Sequence, residues 1–262
     1  MTGIKGSKRP AAARAGHARK APRPVAVVFG VGPENGLGAA LARRFAREGH
    51  VVVLAGRTPE KLEKVASAIA GEGGEAWARV TDATSARDVG AALDFASIQG
   101  ALDLVVYNVG SNRAAPALDT SAELFESLWR QNALGGFIVG REAAARLLTC
   151  GRGSILFTGA TASLRARPPF TAFASAKAAL RAVAQGLARE FGPRGVHVAH
   201  VVVDGVIDGD YAAENFPDLF AAKGAGGRLN SDAIAEAYWA IHRQHPSAWS
   251  HEIDLRPFSE TF

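Results

Sequence analysis

The sequence predicts a single α/β domain, a doubly wound parallel sheet of seven strands with helices on both faces. Apolar runs typical of strands alternate with helical patterns along the body of the chain, as they do in successive strand–helix units of a parallel sheet. The chain has 262 residues, of which 48% are apolar, enough for one large domain with a buried sheet. A glycine-rich turn joins the first strand to the first helix. We therefore expect the functional site beyond the carboxyl ends of the strands.

The expected elements follow one another in strand–helix order. Short Val-, Ile- and Leu-rich runs, bounded by Gly, Asn and Asp, predict strands at Val25–Phe29, Val51–Ala55, Glu75–Val80, Leu102–Asn108, Ser154–Thr158, His197–Val203 and Glu252–Leu255. Longer stretches with apolar residues three and four apart predict helices near Leu37–Glu48, Pro59–Ala70, Ser85–Ser97, Ser121–Leu148, Phe170–Phe191 and Ser231–His242. Side chains just after each strand are therefore the candidates for binding and chemistry.

The turn after the first strand has the spacing Gly-x3-Gly-x-Gly. Gly32, Gly36 and Gly38 lie where a strand leads into the start of a helix, with Asn35 just before Gly36 and Leu37 just after it. Backbone N–H groups and the helix N-terminus converge there, and glycines let a pyrophosphate approach the main chain. A Rossmann-like dinucleotide site is the prediction. Taken alone, the motif also fits an ordinary loop at a strand–helix junction.

Residues after the next three strands extend this prediction to the rest of a dinucleotide. Arg57 follows Gly56, where an NAD-binding protein usually presents an acid, and its fixed positive charge suits a 2′-phosphate. This favours NADP(H) over NAD(H), although Arg57 could also be a solvated arginine at a helix start. Asp82 can accept a hydrogen bond from adenine, while Asn108 and Gly110 offer a polar side chain and a close backbone approach.

Together these motifs resemble the short-chain dehydrogenase/reductase family over about residues 25 to 256. The matching segments are Gly32-x3-Gly36-x-Gly38, Asp82, Tyr107-Asn108-Val109-Gly110, Asn132 and Gly205-Val206-Ile207-Asp208. The resemblance implies that Gly205 and Val206 also contact the cofactor, and that Asn132 bends its helix and holds a proton-relay water. Asp204 stands where the family usually has proline.

The departure from the family lies at its catalytic positions. The resemblance aligns Phe173-Ala-Ser-Ala-Lys177 with the Tyr-x-x-x-Lys pair, and Ala160 with the catalytic serine. It implies that Lys177 binds the nicotinamide ribose, but Phe173 has no proton to give. Neighbouring Ser and Thr hydroxyls are weaker acids than a phenol. Tyr211, in the segment that covers the substrate in this family, is the candidate surrogate acid, so the expected catalytic residues are Asn132, Lys177 and Tyr211.

Two functions are compatible with this pattern. The first is an NADP(H)-dependent oxidoreductase with an altered proton donor and an unknown small-molecule substrate, whose pocket we expect at residues 114–118 and 210–223. The second is a catalytically inactive cofactor-binding sensor or structural subunit, because a binding fold does not guarantee a reaction. Asn132 and Lys177 favour chemistry, whereas Ala160 and Phe173 do not. We favour the oxidoreductase.

The net charge of +5 comes from the N-terminal segment. Residues 1–24 contain seven Lys or Arg and no acid, which leaves the remaining body at −2. We predict that this segment is a disordered tail and that residues 25–262 form the domain, with no specific nucleic-acid partner. An organelle-targeting segment and nonspecific polyanion binding remain alternatives for the tail.

The remaining expectations concern compartment, metals and assembly. A single cysteine, Cys150, excludes an intramolecular disulfide and favours a reducing, cytoplasmic location, and no apolar run is long enough to span a membrane. His242-x-x-His245 has no obvious third ligand, so no metal site is predicted. The resemblance implies a homodimer or a homotetramer, because the corresponding elements form subunit interfaces in the family. These elements are the alanine-rich helix Phe170–Phe191 and the strand Glu252–Leu255. An alanine-rich helix packed only on its own sheet is the alternative.

Overall fold

The fold is a seven-stranded sheet covered by helices on both faces. The computed structural model describes residues 22–110 and 112–260. The strands are β1 (Pro24–Phe29), β2 (Val51–Gly56), β3 (Glu75–Val80), β4 (Ala101–Tyr107), β5 (Ser154–Ala160), β6 (His197–Val203) and β7 (Glu252–Leu255). All six strand pairs are parallel, and the strand order is β3-β2-β1-β4-β5-β6-β7. The predicted fold class and its seven strands are confirmed, with ends that differ by two residues at most.

Nine α-helices connect or flank the strands in the described part of the chain. They are α1 (Leu37–Arg47), α2 (Pro59–Gly71), α3 (Ala86–Gln99), α4 (Ala122–Trp129), α5 (Gly135–Cys150), α6 (Thr171–Phe191), α7 (Asp210–Asn215), α8 (Pro217–Lys223) and α9 (Ser231–His242). Three of them begin at side-chain caps, in which Ser85, Ser121 and Asn230 accept hydrogen bonds from backbone N–H groups three residues later. Such caps satisfy N–H groups that have no partner within the helix.

The hydrophobic core has two layers because successive residues of each strand point to opposite faces. In β1, Val25, Val27 and Phe29 pack against the layer that contains α3, α5 and α6. Ala26 and Val28 pack against the opposite layer, which contains α1, α2 and α9. The central strands are therefore buried on both faces, as expected of a parallel sheet between helices.

The structure differs from the sequence prediction in three places. Residues 1–21 of the predicted disordered tail lie outside the described residues, but Pro24 already opens β1 and the Arg23 carbonyl accepts a hydrogen bond from Ala101 N–H (2.9 Å). The domain therefore begins before residue 25. The predicted single helix Ser121–Leu148 is α4 and α5 joined by a π-helical segment, Arg130–Leu134. The short helices α7 and α8 were not predicted, because they are only six and seven residues long.

No helix within the described residues is long and apolar enough to cross a membrane.

Candidate functional site

The glycine-rich turn between β1 and α1 lies at the carboxyl edge of the sheet. Gly36 is the N-cap of α1, whose first turn contains no acid to neutralise the positive end of the helix. A Cβ atom at Gly38 would lie 2.6 Å from the Gly30 carbonyl oxygen, so this glycine is needed for close packing of strand and helix. A Cβ atom at Gly32 would meet nothing within 4 Å. The turn thus leaves room for an anionic group beside a helix N-terminus.

The other two predicted turn residues have different surroundings. Leu37 is buried in the core as the first residue of α1. The Asn35 side-chain amide donates a hydrogen bond to the carboxylate of Asp210, the first residue of α7. A Cβ atom at Gly209 would lie 3.1 Å from the Asn35 carbonyl oxygen. The segment after β6 therefore packs directly onto the glycine-rich turn.

The ends of β2 and β3 bring together the residues predicted for the adenosine half. Gly56 is sterically required, because a Cβ atom there would lie 2.6 Å from the Val31 carbonyl oxygen. Arg57 is exposed, as is Asp82 at the end of the neighbouring strand. Hydrogen bonds from Thr84, first of all from its backbone N–H (2.9 Å), and the charge of Arg57 lower the pKa of Asp82. An exposed guanidinium and an ionised carboxylate are thus neighbours at this edge.

Asn108 ties three strands together at the same edge. Its side-chain amide donates to the Gly30 carbonyl (3.1 Å), and its side-chain oxygen accepts a hydrogen bond from the Thr158 hydroxyl (3.1 Å). The Thr158 hydroxyl also contacts the hydroxyl of buried Tyr238 (2.8 Å). The polar atoms of Asn108 are therefore engaged within the protein, and this side chain fixes the edge of the sheet.

Lys177, Asn132 and Gly110 converge in front of β4 and β5. The Lys177 ammonium donates to the Thr158 carbonyl (2.9 Å), and its side chain is buried. A Cβ atom at Gly110 would lie 3.5 Å from the Lys177 Nζ and 3.7 Å from the Asn132 Oδ1. Burial lowers the pKa of Lys177 to about 8, because the charged form loses its hydration. The structure thus brings together three residues that the sequence predicted for one site.

The π-helical segment Arg130–Leu134 positions Asn132. The Asn132 side-chain amide donates to the Leu128 carbonyl (2.9 Å), and the buried Tyr107 hydroxyl donates to the Gln131 carbonyl (2.5 Å). Two side chains therefore satisfy carbonyl groups near the place where the regular helical pattern breaks. The break lies at the residue for which the family resemblance implied a bend, and π-helical segments are frequent at functional sites.

Ala160 and Phe173 flank this group with apolar side chains. Phe173 is buried on α6 one turn before Lys177, whose Nζ lies 5.9 Å from the centre of the aromatic ring. Ala160 ends β5, and its backbone N–H donates to the Ser163 hydroxyl (3.1 Å). Neither side chain can exchange a proton. Lys177, which contacts the Thr158 carbonyl two residues before Ala160, is therefore the titratable member of this group.

A family model described as short chain dehydrogenase matches residues 25–219. This chain belongs to the short-chain dehydrogenase family. Gluconate 5-dehydrogenase of Gluconobacter oxydans is 32% identical to it over 194 residues, which cover 72% of this chain and 73% of the relative. A short-chain dehydrogenase from Rhodopseudomonas palustris has a crystal structure with a TM-score of 0.78 and 38% identity, covering 90% of this chain and 99% of that one.

A second solved relative carries a cofactor. The gluconate 5-dehydrogenase from Burkholderia cenocepacia, crystallised with NADP and tartrate, has a TM-score of 0.77 and 25% identity and covers 91% of this chain and 95% of that one. The residues of this chain fit such a dinucleotide, because the glycine-rich turn is open at Gly32 and a buried lysine, Lys177, lies at the same edge of the sheet in front of β5.

The segment after β6 contains three of the predicted site residues. Gly205 follows β6, and the Val206 carbonyl accepts a hydrogen bond from Leu229 N–H (2.8 Å), which holds the segment beside the domain. Tyr211 is half exposed, and its hydroxyl donates to the Asn112 carbonyl (3.1 Å). The structure thus joins the segments after β4 and β6 through Tyr211, whereas its described contacts do not include Lys177.

Two features of the site were missed by the sequence analysis. Gly30 has a φ of +93°, and a Cβ atom there would lie 2.7 Å from the Asn108 carbonyl carbon. The signal available in the sequence was the position of this glycine directly after the end of β1. Asp204 is buried, accepts a hydrogen bond from the Thr161 hydroxyl, and pairs with Arg165 (3.4 Å) and Arg256 (3.6 Å). No local pattern signals this cluster, because its members are far apart in the chain.

A surface cavity of about 400 Å³ lies between the starts of α4 and α6. Its lining includes Ala117, Ser121, Phe125 and Ala172. It overlaps the predicted substrate segment 114–118 at Ala117 but includes no residue of 210–223. Its apolar lining and its position next to Phe173 offer space for a small organic molecule.

Proposed function

We propose that the protein is an NADP(H)-dependent oxidoreductase that transfers a hydride to or from a small organic substrate without a serine–tyrosine pair. The observation that carries this proposal is the buried ammonium of Lys177 beside Asn132 and Gly110, at the edge where the glycine-rich turn opens. When bound, the dinucleotide supplies or accepts the hydride. The protein then has to bind the nucleotide, orient the substrate and manage one proton.

The cofactor preference rests on Arg57. Its guanidinium is exposed next to Asp82, and Gly56 cannot be replaced by an acid without a clash against the turn after β1. A carboxylate that would repel a 2′-phosphate is therefore missing at position 56, and a planar cation that can bind this phosphate is available. The Burkholderia relative holds NADP, which supports the same preference.

Lys177 is the best supported proton source. With its pKa lowered to about 8, the ammonium can hold a proton at neutral pH and release it at a modest cost. Phe173 and Ala160 cannot, and the Tyr211 hydroxyl is already engaged as the donor of a hydrogen bond to the Asn112 carbonyl. Tyr211 would have to break that hydrogen bond to serve as the acid, so we rank it second.

A second candidate function is cofactor binding without turnover. The apolar side chains of Ala160 and Phe173 at the two aligned catalytic positions favour it. In this case the nucleotide would stabilise one conformation for a partner, and the site would sense the cofactor rather than use it. Binding of NADPH is common to both candidates, whereas oxidation of NADPH separates them.

The deciding experiment is a screen of NADPH oxidation against aldehydes, ketones, quinones, imines and activated alkenes. The native protein is compared with Ala160→Ser, Phe173→Tyr and the double variant. Turnover by the native protein supports the oxidoreductase. If only the double variant reduces carbonyls, the site has the geometry but lacks the acid, which is worth about 10² to 10⁴-fold. If no form oxidises NADPH while all bind it, the cofactor sensor is supported, and if none binds it, both proposals fail.

We also propose that the chain forms a homodimer or homotetramer. Phe125 and Trp129 on α4 and Phe137 on α5 are each about two-fifths exposed (40%, 39% and 41%). The adjoining α6 exposes the small residues Ala178 and Ala182 one turn apart. Exposed aromatic side chains beside a flat helical surface are typical of protein interfaces.

A further inference from the structure

A buried polar cluster lies at the amino edge of the sheet, opposite the candidate active site. His50 directly precedes β2, Asp103 lies near the start of β4, and His242 is the last residue of α9. The Nε2 atom of His50 is 3.1 Å from Oδ2 of Asp103, and the Nε2 atom of His242 is 3.2 Å from the same oxygen. All three atoms lie within 4.8 Å of one another, so two imidazole nitrogens and a carboxylate oxygen surround one point.

Burial and charge fit this cluster to a cation. The side chains of His50 and His242 are only 4% and 9% exposed, whereas that of Asp103 is 23% exposed. The Asp103 carboxylate lies next to both imidazoles. His242 is at the C-terminal end of α9, where the helix dipole favours a positive charge. The partly exposed side of Asp103 leaves a route for an ion and a water molecule.

The surroundings also orient both rings. The Nδ1 atom of His242 is 2.9 Å from the Ser154 hydroxyl oxygen at the start of β5. With a proton on Nδ1 donated to Ser154, the Nε2 lone pair of His242 faces the centre of the cluster. His50 packs edge-to-face against Trp239, with ring centroids 5.6 Å apart. Its Nδ1 has no hydrogen-bond partner among the described residues, so the contact with Trp239 is what orients this ring.

We propose that His50, Asp103 and His242 form a binding site for Zn²⁺ or a similar divalent transition-metal ion. Two nitrogens and one carboxylate oxygen are a preferred ligand set for zinc, which takes a water molecule as a fourth ligand. Ligands bound about 2.1 Å from a tetrahedral ion lie about 3.4 Å apart, close to the 3.1 and 3.2 Å separations seen here. Magnesium and calcium prefer all-oxygen sites, so this cluster selects against them.

Such an ion would hold elements together that are far apart in the chain. It would link the start of β2, β4 and the end of α9 at the edge away from Lys177. Its role is therefore to stabilise the C-terminal part of the domain rather than to take part in hydride transfer. The sequence predicted no metal because His242 was considered with His245, whose Nδ1 instead lies 2.8 Å from the Ser247 hydroxyl oxygen. The fold supplies the missing ligands from other elements.

The alternative is a metal-free network in which both Nε2–H groups donate to Asp103. Metal binding to the purified full chain, stripped with a chelator, separates the two. We expect one Zn²⁺ per chain in titration calorimetry, a rise in melting temperature with Zn²⁺ but not with Mg²⁺, and a visible absorption band of tetrahedral Co²⁺. Loss of the NADPH site would not affect these readouts, because they require neither cofactor nor turnover.

Matched variants assign the ligands. His242→Ala should weaken Zn²⁺ binding at least about tenfold and Ser154→Ala by about 10 to 100-fold, while His245→Ala, on an exposed histidine three residues away, should not change it. Asp103→Asn provides a second ligand variant if His242→Ala does not fold. The proposal is overturned if the native protein shows no saturable Zn²⁺ binding, if His242→Ala or Asp103→Asn binds Zn²⁺ as tightly as the native protein, or if His245→Ala removes the binding.

Discussion

Replacing Lys177 with methionine should stabilise the empty protein and weaken its affinity for NADPH. The ammonium is buried, and burial lowers its pKa from the ordinary value of 10.5 to about 8. That difference corresponds to about 3 kcal/mol of unfavourable free energy for the charged form in the folded state. Methionine has a similar length and no charge, but it leaves the Thr158 carbonyl without its 2.9 Å hydrogen bond, which costs about 1 kcal/mol. We therefore expect a net gain of about 2 kcal/mol near pH 7.

The pH dependence gives a sharper test than the gain itself. Below pH 8 Lys177 is protonated in both the folded and the unfolded state, so the native protein carries the full cost. Between about pH 8 and pH 10.5 the unfolded state binds more protons than the folded state, and the stability of the native protein rises with pH. Lys177→Met lacks this contribution. The difference in unfolding free energy between the two proteins should therefore shrink across this window.

The assay is urea unfolding at pH 7, 8.5 and 10, followed by fluorescence, together with NADPH titration. Lys64→Met, which removes an exposed lysine on α2, is the matched control and should change neither quantity. NADPH affinity of Lys177→Met should fall at least about tenfold, the loss expected for a hydrogen bond from a charged group. Asn132→Ala should largely keep NADPH affinity. The prediction is wrong if Lys177→Met is less stable than the native protein at pH 7, or if the difference in unfolding free energy between the two proteins stays constant from pH 7 to 10.

Three further predictions address the cofactor preference, the stability of the protein at acid pH and its assembly. Arg57→Ala should reduce NADPH affinity at least about tenfold and leave NADH affinity unchanged, while Arg87→Ala, an exposed arginine on α3, should affect neither in calorimetry. Burial lowers the pKa of His200 to about 4, although its hydrogen bond to a glutamate opposes this. The unfolded state therefore binds more protons between pH 6.5 and 4, and the free energy of unfolding should fall by up to about 3 kcal/mol as the pH drops through this range. His200→Gln should reduce that fall in urea unfolding, and an equal fall in both proteins would contradict the prediction. Ala182→Arg should shift the native oligomer to a smaller mass in light scattering while the exposed control Ala70→Arg should not, and a monomeric native protein would contradict the assembly.

The strands and most helices could be predicted because their signals are local. A run such as Val51–Ala55 is apolar throughout, as required of a strand buried on both faces, and it is confirmed with one added residue. The break in the helix after β4 is different. The sequence from Ser121 to Leu148 is helical in pattern throughout, and the π-helical turn depends on Tyr107, which reaches the Gln131 carbonyl from another element. Tertiary contacts of this kind leave no periodic trace in the sequence.

The candidate site divides in the same way. The glycines of the first turn follow from a local rule, since a strand that leads directly into a helix needs small residues at the crossing. Asn108 was expected to face a cofactor, but its polar atoms are occupied by Gly30 and Thr158, which come from two other strands. The buried Asp204 cluster likewise joins residues about forty positions or more apart. Motif spacing predicts which backbone meets the nucleotide, whereas side-chain partners are decided by packing.

The energetic cost of Lys177 bears on which of the two candidate functions is correct. If this position only had to be filled, an apolar side chain of the same length would do so and would make the folded protein about 2 kcal/mol more stable, as worked out for Lys177→Met. The ammonium is instead held at the carboxyl edge of the sheet, next to Asn132 and within reach of space that Gly110 leaves free. A destabilising buried charge at the end of parallel strands is what a binding or catalytic role requires and what packing alone does not. The buried charge therefore supports cofactor binding in both candidates, and the ability of a group with a pKa of about 8 to hold and release a proton near neutral pH favours the oxidoreductase.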